Sequence, residues 1–122
     1  MPLLTAVHHV QITVQADQAA AARQFYLEVL GLKEISKPQA LLARGGFWCE
    51  LGALQIHIGL ETFSVRAESK AHLAYQVDDL AAWRNHLQTQ GIVIQDSIQI
   101  PGLERFECRD PFGNRMEFLQ LL

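Results

Sequence analysis

Residues 7–14, VHHVQITV, run into ADQAAAARQFYLEVLGL at 16–32; later, residues 71–77, AHLAYQV, run into DDLAAWRNHLQTQ at 78–90. Each opening phrase alternates apolar and polar residues and reads as a half-buried strand. Each following phrase places its apolar residues at helical spacing. In the first, Ala22, Phe25, Tyr26, Val29 and Leu30 share one face. Asp17 is the expected N-cap of the first helix and Asp78 or Asp79 that of the second. Gly31 and Gly91 stand where a helix ends on positive φ. The same strand–helix phrase therefore occurs twice.

Three strands are expected to follow each helix. In the first half they are LKEIS, FWCELG and ALQIHIGL, with turns at Gly45–Gly46 and Gly52–Ala53. In the second they are VIQDSIQI, LERFECR and NRMEFLQL. Asp110-Pro111-Phe112-Gly113-Asn114 forms the turn between the last two. The expected fold is α+β: one domain over 1–122, made of two βαβββ modules at about 6–61 and 71–122, joined by a polar linker at 62–70. A single module leaves one sheet face bare, so two are needed to bury a core.

The repeat sorts the candidate functional residues. His9 aligns with His72 at the start of equivalent strands, and His57 with Glu117 near the module ends. His9 and His57 stand 48 apart, and His72 and Glu117 stand 45 apart. Strand alternation puts Val10, Ile12 and Val14 opposite His9, Gln11 and Thr13, and puts Ile56 and Ile58 opposite Gln55 and His57. The imidazoles and the carboxylate thus share the faces turned away from the helices, lining a cavity. Three histidines and one carboxylate suit a divalent first-row metal such as Zn, Ni, Co, Mn or Fe. Taken singly, a strand histidine is more often a surface or hydrogen-bonded residue; the shared register is what singles these out. His8 is expected on the apolar face, and His86 in solvent on the second helix.

The 122 residues carry a formal net charge of −3, with 49% hydrophobic and 19% charged residues. That balance fits an ordinary globular domain and excludes a broad basic nucleic-acid surface. Two cysteines do not make a disulfide framework and are expected as buried thiols in a reducing compartment. The N-terminal residues MPLLTAVHH lack a signal-like basic and apolar run, and no stretch is long enough to span a membrane. A cytoplasmic location is the expectation.

The phrases HHVQITV, ARQFYLEVLGL, AHLAYQVDDLAAW and RFECRDPFGNRMEFLQ resemble the vicinal oxygen chelate superfamily over essentially the whole chain. FY-x-x-VLGL and DPFGNRMEF are the more specific parts. That superfamily includes glyoxalase I, methylmalonyl-CoA epimerase, extradiol dioxygenases, and fosfomycin- and bleomycin-resistance proteins. The resemblance implies a U-shaped mixed sheet around a metal-binding cavity, with His9, His72 and Glu117 at ligand positions. His57 falls at the fourth position, where bacterial glyoxalase I has Glu and the epimerase Gln. Proton transfer is then left to Glu117, as the catalytic residue, or to a metal-bound water. Gln11, Thr13, Gln55 and Gln76 would orient the substrate. The implied activity is a metal-dependent, glyoxalase-I-like lyase or isomerase acting on a small molecule, with glutathione as a candidate co-substrate, in a homodimer. An extradiol-type Fe(II) dioxygenase and a non-enzymatic, bleomycin-resistance-like binder are the alternatives. A fosfomycin-type role lacks the basic and hydroxyl cluster that a phosphonate requires.

Overall fold

The computed structural model describes residues 1–62 and 66–122, so residues 63–65 of the expected linker lie outside it. The chain divides into two compact units, Met1–Ser64 and Val65–Leu122. Each repeats the same element order. The first unit runs β1 (His9–Gln15), α1 (Ala19–Arg23), β2 (Lys33–Ile35), β3 (Phe47–Leu51) and β4 (Leu54–Glu61). The second runs β5 (His72–Gln76), α2 (Leu80–Thr89), β6 (Gln95–Asp96), β7 (Leu103–Arg109) and β8 (Arg115–Leu121).

The two sheets have identical topology, β1-β4-β3-β2 and β5-β8-β7-β6. In each, the first and last strands run parallel and the others are antiparallel. Such a sheet needs a crossover between its parallel strands, which the helix and the two intervening strands supply. His9 lies opposite Gln55 and Gln11 opposite His57; His72 lies opposite Arg115 and Ala74 opposite Glu117. The pairing therefore reproduces the repeat alignment residue for residue.

The helix-facing side of each sheet is the core. In the first unit Val14, Phe47, Cys49, Ile56 and Ile58 pack with Ala22, Phe25 and Tyr26, all at most 3% exposed. The helix continues past Arg23 as a π-helical stretch over Gln24–Val29, in which the Leu30 amide bonds back to the Phe25 carbonyl at 2.9 Å. The wider turn keeps Ala22, Tyr26 and Leu30, four residues apart, on the buried face. Asp17 does not cap it: the preceding 3-10 turn starts after Gln15 and has no side-chain cap. In the second helix Asp79, not Asp78, is the cap, accepting from the Ala82 amide at 3.0 Å.

One other expectation changes. VIQDSIQI yields only the two-residue β6 and an isolated bridge from Ile100 to Leu103. Val93 and Ile98, 76% and 86% exposed, find no helix to pack under, so that apolar pattern is not rewarded. Residues Gln39–Arg44, for which no element was expected, form a 3-10 helix ahead of β3. It ends on Gly45 and Gly46; a Cβ on Gly46, at φ +77°, would come 2.2 Å from the Ile58 carbonyl oxygen.

The second core centres on Phe118, 2% exposed. The rings of Tyr75, Phe106 and Trp83 lie 5.3, 5.4 and 5.5 Å from it. Asp110 ties the turn before β8, accepting from the amides of Phe112 (2.9 Å) and Asn114 (2.8 Å). Phe118→Ala should lower unfolding free energy in urea by about 3–5 kcal/mol. A loss under about 1 kcal/mol would mean that this cluster is not the packing centre of the second unit.

Candidate metal centre and ligand cleft

The faces turned away from the helices carry the expected polar residues, and the two units use them differently. In the first unit three rings form a stack. His57 lies flat on Trp48, centroids 3.9 Å apart and 2° from parallel, and on His9 at 4.2 Å and 15°. This leaves His57 only 5% exposed although it belongs to the polar face. Its Nε2 is 2.9 Å from the Gln55 side-chain oxygen, a bond in which the imidazole donates. Burial, then the nearby His9, His8 and Lys37, hold the His57 pKa below the ordinary 6.5, so its ring is neutral near pH 7.

His9 is exposed, and its Nδ1 meets that of His8 at 3.0 Å. His8 is thus not on the apolar face as expected; it precedes β1, is exposed, and packs edge-on against His9. His86 is exposed as expected and packs against Trp83. In the second unit the exposed His72 places Nδ1 2.9 Å from the Lys70 carbonyl. An imidazole that donates from Nδ1 to a backbone carbonyl presents a bare Nε2, the tautomer a metal ligand requires.

Glu117, 7% exposed, accepts on Oε1 from Arg105. The Arg105 guanidinium also donates to the Ile98 carbonyl from Nε (3.1 Å) and Nη2 (2.9 Å). Glu107, 3.7 Å from Arg105, accepts from Arg115. That hydrogen bond from Arg115 holds the Glu107 carboxyl below its ordinary range. Two arginines and two glutamates therefore neutralise one another across β7 and β8.

Donor atoms open to a divalent ion are divided between the two units. His9 and His72 each leave Nε2 open, and Glu117 has only Oε1 engaged in the described contacts. His57 does not fit beside His9 as the rings stand. Imidazole lone pairs lie in the ring plane, and nearly parallel planes 4.2 Å apart cannot both contain one ion about 2.0–2.1 Å from each nitrogen. Among the described residues, no group of three or more His, Cys, Asp or Glu side chains is placed to hold a metal ion.

Among the expected substrate-orienting residues, Gln11 is exposed with its amide directly over Gly59; a Cβ there would come 3.0 Å from the Gln11 amide carbon. Thr13 is half-buried, Gln76 is exposed, and Gln55 is engaged with His57. A cleft of about 390 Å³ opens over the first sheet, bounded by His9, Gln11, Lys37, Arg44, Trp48 and His57 among others. Trp48, Lys37, Arg44 and Arg105 were not singled out from the sequence. The strands that carry Trp48 and Arg105, FWCELG and LERFECR, were read; their pairing with β4 and β8, which brings Trp48 to His57 and Arg105 to Glu117, was not. Both cysteines are free and buried. Burial pushes the Cys49 thiol up to about 11 and Cys108 to about 12, so neither is a thiolate nucleophile. No helix among the described residues is long and apolar enough to cross a membrane.

The sequence matches the model of the Glyoxalase/Bleomycin resistance protein/Dioxygenase superfamily over residues 6–118. Among solved structures, a protein from Bacillus anthracis assigned to the glyoxalase family is 37% identical, with a TM-score of 0.90, covering 100% of this chain and 99% of its own. Lactoylglutathione lyase from Agrobacterium tumefaciens is 19% identical, with a TM-score of 0.71 and coverage of 97% and 95%. TnmS3, an antibiotic binding protein from Streptomyces sp. CB03234, is 18% identical, with a TM-score of 0.75 and full coverage of both chains. The last two likenesses are of fold alone. No protein of curated function matches the sequence. With its two βαβββ units and a match that runs nearly end to end, the chain belongs to the Glyoxalase/Bleomycin resistance protein/Dioxygenase superfamily.

Proposed function

We propose that this chain is a divalent-metal-dependent enzyme of the lyase or isomerase kind, acting on a small oxygenated molecule, with His9, His72 and Glu117 as its metal ligands. The observation that carries the reading is the register. His9 and His72 open equivalent parallel strands, and Glu117 stands on the polar face at a fixed diagonal from His72. Two imidazoles and one carboxylate would leave coordination positions for Zn, Ni, Co, Mn or Fe to share with a substrate. When bound, the ion supplies Lewis acidity toward substrate oxygens.

The protein's own residues account for the rest. Arg105 fixes the orientation of Glu117 by holding Oε1, which leaves its other oxygen as the atom that would meet either the ion or a substrate proton, the proton falling to a metal-bound water in the first case. Lys70 sets the tautomer of His72 through its backbone carbonyl. Gln11 presents its amide beside the cleft, with Thr13 and Gln76 on the same polar faces. His57 serves as a neutral wall that Gln55 and Trp48 hold in place. Glutathione is the co-substrate to test first, because the fold is shared with a lactoylglutathione lyase.

One observation favours a second reading. The Arg105–Glu117 ion pair already satisfies part of the carboxylate, as in a site that binds ligands without metal. The antibiotic binding protein with this fold gives that reading a precedent in architecture. Metal analysis of the purified protein separates the readings. Ni, Co or Zn supports lyase or isomerase chemistry, tightly held Fe(II) with oxygen uptake supports a dioxygenase, and no metal uptake supports a binder.

His9→Ala, His72→Ala and Glu117→Ala should each weaken metal binding at least about tenfold in calorimetric titrations, with unfolding midpoints nearly unchanged. His86→Ala is the control, since His8 touches His9. Unchanged affinity in any two of the three variants would sink the ligand assignment.

The first unit carries one of the three proposed ligands, His9, and the second carries His72 and Glu117, so neither completes the set alone, and we place the working site in a two-fold dimer whose chains exchange units. Mixing His9→Ala with Glu117→Ala under conditions that reshuffle subunits should then restore part of the metal binding. A monomer in solution, or no recovery after proven exchange, would exclude shared sites.

For His57 the expectation is a pH effect in metal-free protein. Its folded pKa is lowered, so its contribution to stability is fully present above about 6.5 and is lost as pH falls through the folded value. His57→Phe should flatten the fall in urea stability below pH 6.5. An identical slope in the variant would show that His57 is not the neutral, buried group described.

A further inference from the structure

We propose that the cleft on the polar face of the first unit binds an organic anion, a small molecule with an apolar body and one carboxylate. Four basic side chains belong to α1 and to the strands and turns that follow it. Two of them, Arg23 and Lys33, are ion-paired with Glu34 and Glu50. The other two, Lys37 and Arg44, both line the cleft, which has no carboxylate in its wall. Neither has a carboxylate partner among the described residues.

Lys37 is half-buried, and its ammonium is held by the Gly45 carbonyl, so it is partly desolvated without a counter-charge. A cation in that state gains more from an anion than an exposed one does. Leu41, Leu60 and Trp48 supply apolar wall, and Gln11 supplies a neutral donor or acceptor at the rim. A volume of about 390 Å³ suits a small molecule. Among the described residues, the cleft of the second unit is not a comparable site. That cleft, of about 440 Å³, sets Arg109 and Arg115 beside Glu107 and Asp110, so its charges cancel internally.

This inference deepens the enzymatic reading by naming the substrate class, and it depends on that reading only for the anion being transformed. The cleft is therefore tested in chelator-treated protein, with benzoate and its neutral isostere benzamide as probes, followed by tryptophan fluorescence and NMR shifts of the Trp48 indole. Benzoate should bind with a Kd of about 1 mM or tighter, and benzamide at least about tenfold more weakly. Raising the salt should weaken benzoate alone. Lys37→Gln and Arg44→Gln should each weaken benzoate about fivefold or more, while Lys33→Gln, outside the cleft, should not. Arg44 is exposed and outside the described hydrogen bonds, so its variant tests the idea even if Lys37→Gln disturbs the Gly45 contact. Equal affinity for benzamide, no benzoate binding, or unchanged binding in Arg44→Gln with the Trp48 signal intact would overturn the proposal. Benzoate binding by a protein that takes up no metal would leave the cleft standing and remove the metal-dependent reading. Metal uptake without benzoate binding would do the reverse.

Discussion

The parallel pairing of the first and last strand in each unit is the constraint on which the rest of the molecule depends. A parallel pair cannot be closed by a hairpin, so each unit must route its chain through a helix and two more strands before returning. The helix covers one face of the sheet and supplies the core. The opposite face is left to polar side chains, and the pairing register decides which of them become neighbours. A one-residue slip would send His57 and Glu117 into the core and bring Ile58 and Phe118 out. The hydrophobic gain from burying Ile56, Ile58, Met116 and Phe118 is therefore what holds the residues of the polar face in register.

Two units with one topology have diverged in how they stabilise the polar face. The first covers it with flat rings, Trp48 on His57 on His9, and keeps an excess of positive charge at its edge. The second closes it with alternating charge, Arg105 to Glu117 and Arg115 to Glu107, leaving no net excess among the four. Buried carboxylates demand such partners, whereas a neutral imidazole can be buried by stacking and a single hydrogen bond.

Much of this was legible in the sequence, because alternation and repetition are reported by every residue of a strand. His9 against His72, and His57 against Glu117, needed only the period of two and the duplicated helix phrase. The DPFGN turn was readable because Asp110 and Gly113 have one common use there. What the sequence did not convey depended on neighbours far along the chain. VIQDSIQI has the pattern of a long strand but lacks a surface to cover it, and Asp17 has the chemistry of a cap but precedes a 3-10 turn. The orientation of the His57 ring could not be read at all, since a ligand and a stacked wall occupy the same strand position. The partner of Glu117 was hidden for the same reason, since Arg105 reaches it from the neighbouring strand and only the pairing register decides which side chains meet.

The register also pairs positions that differ in one telling way. Gly59 faces Thr13 in the first unit, and at the equivalent place in the second Leu119 faces Gln76. The missing side chain lets the Gln11 amide settle against the neighbouring backbone, and so gives the first cleft its floor. Because that position points away from the core, a change there alters volume without disturbing the strand ladder or the packing under the helix. A duplicated fold of this kind can therefore retune the size of what it accepts in one half at a time, leaving the other half unaltered.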